Sequence, residues 1–120
     1  MDASGVDSWL ERYVAAWTSN DAGEIGDLFS EDARYRYHAY DDPVVGRAAI
    51  VEAWLSEGDE PGSFEARYEC YAVEDDRAAA VGVTTYRDDH RVYDNVFLLR
   101  FDDEGRCSEF TEWFVKRPSG

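Results

Sequence analysis

Between Val6 and Trp17 the apolar residues Val6, Leu10, Tyr13, Val14 and Trp17 recur at three- to four-residue spacing, which places them on one face of a helix. The spacing predicts a first helix from about Val6 to Ser19, and Ser4 followed by Asp7 resembles its N-cap. Asn20-Asp21 restarts the chain, and Ile25, Leu28 and Phe29 mark a short second helix ending near Ser30, weakened by Gly23 and Gly26. From Ala33 to Tyr40 the period changes to two. Ala33, Tyr35, Tyr37 and Ala39 alternate with Arg34, Arg36, His38 and Tyr40, as in a strand. Asp41-Asp42-Pro43 breaks it. Gly46-Arg47 opens a third helix with Ile50, Ala53 and Trp54 on its buried side, and Gly58, Pro61 and Gly62 end it.

Four strands follow, over about Phe64–Val73, Arg77–Arg87, Arg91–Phe101 and Cys107–Lys116. The links Glu74-Asp75-Asp76, Asp88-Asp89-His90 and Asp103-Glu104-Gly105 are of hairpin length, so these neighbours run antiparallel. The order ααβαββββ, with no repeat and no linker, is that of a single α+β domain spanning residues 1–120. In the third of these strands both parities are substantially apolar: Tyr93, Asn95, Phe97, Leu99 and Phe101 against Val92, Asp94, Val96, Leu98 and Arg100. A sheet with one wet face does not read this way. If Phe110, Glu112 and Phe114 point inward, Trp113 and Val115 join Val96 and Leu98 outside. The simplest cover for that face is a second copy of the chain, so a homodimer through the outer sheet face is expected.

Composition narrows the partners. An aromatic fraction of 15% within a 44% hydrophobic chain is enough for a core, and also suits a cavity wall. The net charge of −15 disfavours nucleic acid and anionic membrane surfaces. A single lysine among eleven arginines and 27 acids speaks to solubility and environment, a GC-rich genome or a salt-rich interior, rather than to fold. Met-Asp-Ala-Ser-Gly carries no basic, apolar leader, and no apolar run approaches membrane-span length. Cys70 and Cys107 lack metal or redox spacing. The expectation is a cytoplasmic protein with two reduced, buried thiols. No histidine pair stands with carboxylates at ligand spacing, and there is no phosphate loop or nucleophile elbow, so neither metal nor cofactor is expected.

Four segments carry a family likeness: Glu11-Arg-Tyr-Val-Ala-Ala-Trp17, Leu28-Phe-Ser-Glu-Asp-Ala33, Gly46-Arg-Ala-Ala-Ile50 and Arg100-Phe-Asp-Asp-Glu-Gly-Arg106. In order and separation they resemble the nuclear transport factor 2-like superfamily, in particular its SnoaL-like and ketosteroid isomerase-like branches. The resemblance implies a cone-shaped, curved antiparallel sheet with three helices in the N-terminal half, the cystatin-like roll. It leaves function open, because this fold carries isomerases, cyclases, hydrolases, dehydratases and non-catalytic binding proteins. The oxyanion-donating tyrosine of the ketosteroid isomerases matches Tyr13. Their aspartate base falls on Tyr37, their protonated aspartate on Phe97, and two supporting tyrosines on Phe29 and Trp54. Most of that machinery is therefore absent. The limonene epoxide hydrolase branch uses an Asp-Arg-Asp set. Asp94, Arg100 and Asp102 are present here but share outer parity.

The remaining chemistry sits on the last strand pair. Glu112, between Phe110 and Phe114 in parity, would be a carboxylate facing an apolar cavity, where desolvation raises its pKa towards that of a general base. Its alternative is a structural carboxylate bonded to Tyr13, Asn95 or an arginine. Asn95 would orient a carbonyl or stabilise an enolate, or simply bond a neighbour. Glu112, Tyr13 and Asn95 are thus the catalytic candidates. Trp17, Phe29, Tyr35, Tyr37, Trp54, Phe97, Phe110 and Phe114 are the expected pocket wall. His38 has outer parity and His90 lies in a turn, so neither is expected to act. The expected activity is cofactor-independent isomerisation, cyclisation or dehydration of a small apolar or aromatic carbonyl compound. The rivals are a binding or accessory domain of the same fold, with the same cavity and no turnover, and a dimerisation module whose aromatic interior is simply a filled core.

Overall fold

The computed structural model describes residues 1–57 and 62–118. Helix α1 runs Ala3–Ser19 and buries Val6, Trp9, Leu10, Tyr13 and Ala16, a single stripe at helical spacing. Its cap differs from the expected one. Asp2 accepts the Gly5 N–H at 2.8 Å, so Ser4 and Asp7 lie inside the helix. Asp7 instead accepts the Cys70 N–H at 2.7 Å and ties the helix to the sheet.

Helix α2, Ala22–Asp27, is capped by Asp21, and it stops before Phe29. Phe29 opens strand β1, Phe29–Arg36, four residues earlier than alternation alone predicts. The reason is a distant partner: Cys107 donates its N–H to the Leu28 carbonyl at 2.8 Å and lies beside Phe29 in parallel register. At its other end β1 stops at Arg36, because His38 to Asp41 form a turn in which the Asp41 N–H reaches the His38 carbonyl. A two-residue strand β2, Val44–Val45, folds back antiparallel on β1, and helix α3 follows at Arg47–Glu57. Ile50 and Trp54 are buried there and Ala53 only partly. Of the three residues expected to end α3, Gly58 and Pro61 lie outside the described residues.

Strands β3 (Phe64–Glu74), β4 (Arg77–Tyr86), β5 (Val92–Phe101) and β6 (Cys107–Lys116) fall within a residue or so of expectation and pair antiparallel through their short turns. The sheet order is β2-β1-β6-β5-β4-β3. The parallel β1–β6 pair makes it mixed, where hairpin links alone suggested an antiparallel sheet. This is an α+β fold: three helices and a curved, open six-stranded sheet. Among the described residues no helix is long and apolar enough to cross a membrane.

The core lies between the helices and the inner sheet face. Trp9, Phe29, Phe97, Phe110, Leu10, Ile25, Leu28 and Ile50 are completely enclosed, and burying each such side chain contributes about 1.5–3 kcal/mol. Gly82, mid-strand in β4, is required by close packing. A Cβ there would fall on the Arg67 carbonyl oxygen and the Tyr68 ring. Both thiols are free. Cys107 is buried as expected, but Cys70, near the edge of the sheet in β3, is only partly covered.

Candidate functional site

Glu112 sits on the inner face of β6, directly opposite Phe97 of β5 and two residues beyond the buried Phe110. Asn95, opposite Phe114, is its diagonal neighbour. This offset lets the Asn95 amide nitrogen donate to Glu112 Oε2 at 2.9 Å. The Asn95 carbonyl accepts from the Thr84 hydroxyl at 2.9 Å, and Thr84 in turn shares a 2.6 Å hydrogen bond with the Tyr68 hydroxyl. Four adjacent strands, β3 to β6, therefore contribute one residue each to a continuous polar line ending at a carboxylate.

That carboxylate is unusual in what it lacks. Among the described residues no arginine or lysine pairs with Glu112. Burial disfavours its charged form and pushes its pKa up to about 7, while the Asn95 hydrogen bond and the His38 charge pull the other way. Drawing a carboxylate partly out of water with no arginine or lysine bonded to it is what tunes it to exchange a proton near neutrality.

Above this line the aromatic side chains close on one another. Tyr35 stacks on Phe110 with ring centroids 4.4 Å apart and planes 2° from parallel. Tyr13 stacks on the same Phe110 at 5.4 Å, and its edge contacts include Trp54 at 5.2 Å. The Tyr13 and Tyr35 hydroxyls are 3.3 Å apart and bond each other. Burial pushes both phenols well above their ordinary range, the charge of Glu112 adds to it for both, and the hydrogen bond from Tyr13 pulls Tyr35 the other way. Phe29 meets Tyr35 and Trp54 edge-on, and Phe97 tilts against Phe110 at 4.9 Å. Tyr37 meets Tyr35 at 4.8 Å.

A small recess lies to one side of these rings. It measures about 190 Å³ and is lined by Trp17, Thr84, Tyr86, Tyr93, Asn95 and Phe114. Of the expected pocket residues, Trp17 and Phe114 line it together with Asn95. Phe29, Tyr35, Trp54, Phe97 and Phe110 instead form the packed interior, and Tyr13 lies among them. Phe114, 42% exposed, forms part of the rim. A larger hollow, about 860 Å³, lies elsewhere, between α1 and the β3 side of the sheet. Its lining takes residues of both sheet faces, Tyr68 and Gly82 with Val81, Val83 and Asp94, so it is a notch around the bend in the sheet rather than a chamber over Glu112.

Two participants were not singled out in the sequence, and a third, His38, was set aside. Thr84 and Tyr68 read as ordinary strand residues; the available signal was Gly82, a mid-strand glycine that makes room for Tyr68. His38 was expected to face outward. Because β1 ends at Arg36, the imidazole instead turns towards the rim, 5.4 Å from the Phe114 ring centroid, with Nδ1 2.9 Å from Asp41 Oδ2. Asp94, Arg100 and Asp102 are not assembled around a shared centre. Asp94 holds Arg117 in two 2.8 Å hydrogen bonds, Arg100 lies near Asp76 and Glu109, and Asp102 accepts N–H groups of its own turn.

Comparison with known proteins agrees with this architecture. The SnoaL-like domain model matches residues 10–110, and the chain belongs to that family. No curated protein matches. Among solved structures, an NTF-2 like protein of unknown function from Burkholderia xenovorans LB400 is 18% identical, with a TM-score of 0.75 over 98% of this chain and 88% of its own. A candidate ketosteroid isomerase from Kribbella flavida DSM 17836 is 19% identical, with a TM-score of 0.73 over 99% of this chain and 84% of its own. At such identities the likeness is one of fold.

Proposed function

We propose that this SnoaL-like chain is a cofactor-independent enzyme that moves a proton beside the carbonyl of a small, largely apolar compound, in an isomerisation, cyclisation or dehydration. The observation that carries the reading is Glu112, a partly buried carboxylate that no described arginine or lysine pairs with and that is held by a neutral amide. Glu112 takes the proton. Asn95 has two N–H groups and uses one on Glu112; the other is available to a substrate oxygen on which negative charge develops. Both needs of an enolisation, a base and an oxyanion donor, then come from adjacent strands. The recess sets the scale. It is below the size of most ligand pockets, opens to solvent, and is lined by Asn95 but not by Glu112, so a small carbonyl compound of about one ring, its oxygen on Asn95, is the substrate we propose.

The test is solvent deuterium incorporation next to the carbonyl of one-ring ketones, followed by NMR. Wild type accelerates exchange, and Glu112→Gln reduces that acceleration by roughly 10²–10⁴-fold, the range of general base catalysis. Binding of the ketones without exchange, or full exchange in Glu112→Gln, overturns the enzyme reading in favour of a binding domain.

We also infer a homodimer through the outer sheet face. Val96, Leu98, Trp113 and Val115 are 39, 48, 51 and 69% exposed, and Val96 lies directly opposite Trp113, which makes the patch continuous. Sedimentation equilibrium at micromolar concentration is expected to give a dimer, converted to monomer by Trp113→Glu. A wild-type monomer rejects it.

A further inference from the structure

The line of hydrogen bonds that ends at Glu112 has a direction, and elementary donor counting fixes it. An ionised carboxylate only accepts, so the group Asn95 presents to Oε2 is its NH₂. Its carbonyl oxygen then faces Thr84 and must receive the Thr84 proton. A hydroxyl has one proton, so Thr84 can only accept from Tyr68, and the 2.6 Å contact between them is a Tyr68 donation. Every link donates towards Glu112. The geometry is diagonal at each step: Tyr68 lies opposite Gly82, Gly82 opposite Asn95, and Thr84 two residues along β4. Gly82 leaves the gap over which Tyr68 reaches Thr84.

We propose that Tyr68 and Thr84 are positioning residues which, through Asn95, commit Oε2 of Glu112 to a fixed hydrogen bond and leave Oε1 as the oxygen that takes and returns the proton. The assignment rests on the reading of Glu112 as a proton-transfer group. In the step itself the α C–H bond breaks, its proton forms a bond to Oε1, and its electron pair passes to the carbonyl oxygen as an enolate. Return of the proton from Oε1 to carbon restores the carboxylate. The Asn95 donation makes Oε2 the weaker base of the two oxygens, which favours protonation at Oε1, and because every link donates towards Glu112 the chain holds the carboxylate in one orientation.

The groups that reach Glu112 electrostatically are His38 beyond the end of β1, Tyr13 of α1, Tyr35 of β1 and Tyr68 of β3. The buried phenols stay neutral through the neutral range, and His38 is common to every variant below. The experiment follows the Glu112 carboxyl by ¹³C NMR across pH in the full chain. Thr84→Val keeps the shape but removes the hydroxyl. It frees the Asn95 amide to rotate and weakens the donation that favours the charged form. The midpoint is expected to rise by roughly half to one pH unit, with Thr84→Ser restoring it. Tyr68→Phe gives a smaller rise that vanishes when combined with Thr84→Val. A merely structural hydroxyl would change stability and leave the midpoint alone. An unmoved midpoint in folded Thr84→Val, or in Tyr68→Phe should Thr84→Val fail to fold, overturns the relay. A wild-type midpoint in the ordinary carboxylate range instead sinks the base, so the two failures are separable.

Discussion

Two sets of polar groups are built into the same aromatic interior, and they differ in how they are closed. Tyr13 and Tyr35 satisfy each other across 3.3 Å, are walled by Phe110, Trp54 and Phe29, and have burial as the main force on their pKa. Nothing about that pair changes charge near neutrality. The line from Tyr68 to Glu112 also satisfies its members, but it ends on a carboxylate with a raised pKa, and two of its members, Thr84 and Asn95, line a recess. A neutral pair that closes on itself can hold a fold together without further consequence. A directional chain that ends on an ionisable group holds that group at a strained protonation equilibrium. The difference separates structure from chemistry more sharply than burial does.

The largest effect that can break this contrast is in the pH dependence of stability. Glu112 has an ordinary value of 4.5 when solvated and about 7 when folded. Between those values the folded state binds a proton that the unfolded state has lost, so stability falls as pH rises through the window. The full cost above pH 7 is at most about 3 kcal/mol. Glu112→Gln removes this dependence and no other. In denaturant unfolding from pH 4.5 to 8, the variant should therefore gain on wild type as pH rises, by about 1–3 kcal/mol in total. A constant difference across the window would mean that Glu112 ionises as freely in the fold as in water. The two polar sets would then be alike.

The fold was largely legible, because hairpin turns and period-two alternation are local properties. Strands β3 to β6 were placed closely, including which parity of β5 turns inward, and Asn95, Phe97, Leu99 and Phe101 are buried. What was not legible depends on partners far away in the chain. Phe29 looks helical beside Ile25 and Leu28 but becomes a strand through Cys107. Two residues, Val44 and Val45, are too few for a period. His38 changed side because the strand ended early, which no alternation records. At the site, parity was enough to put Glu112 and Asn95 on one face. It could not show that they touch, because diagonal contact depends on the exact pairing of β5 with β6. Thr84 and Tyr68 depend on two more registers, and only Gly82 hinted at the close approach. Composition also could not separate wall from filling. Aromatic residues that line a pocket and aromatic residues that fill it read identically, and here Phe29, Tyr35, Trp54, Phe97 and Phe110 belong to the buried core while Trp17 and Phe114 line the recess.

A smaller effect sharpens the contrast from the other side. Tyr13→Phe leaves the Tyr35 hydroxyl without its partner inside an aromatic wall, which should cost about 1–3 kcal/mol in unfolding free energy. Tyr35→Phe should behave alike, and the double variant should lose less than the sum, since no hydroxyl is left unpaired. Ketone exchange at a pH where all variants are folded should stay within a few-fold of wild type. Resemblance to the ketosteroid isomerases would instead make Tyr13 an oxyanion donor, whose loss costs roughly 10²–10³ in rate. Tyr13 is only 5% exposed, and its hydroxyl is bonded to that of Tyr35 among packed rings, so a substrate would have to displace those rings to reach it. A rate loss of that size with little change in stability would place Tyr13 with Glu112 and dissolve the distinction between the closed pair and the directed chain. A stability loss with the rate preserved would keep the tyrosines as the scaffold against which Glu112 is held.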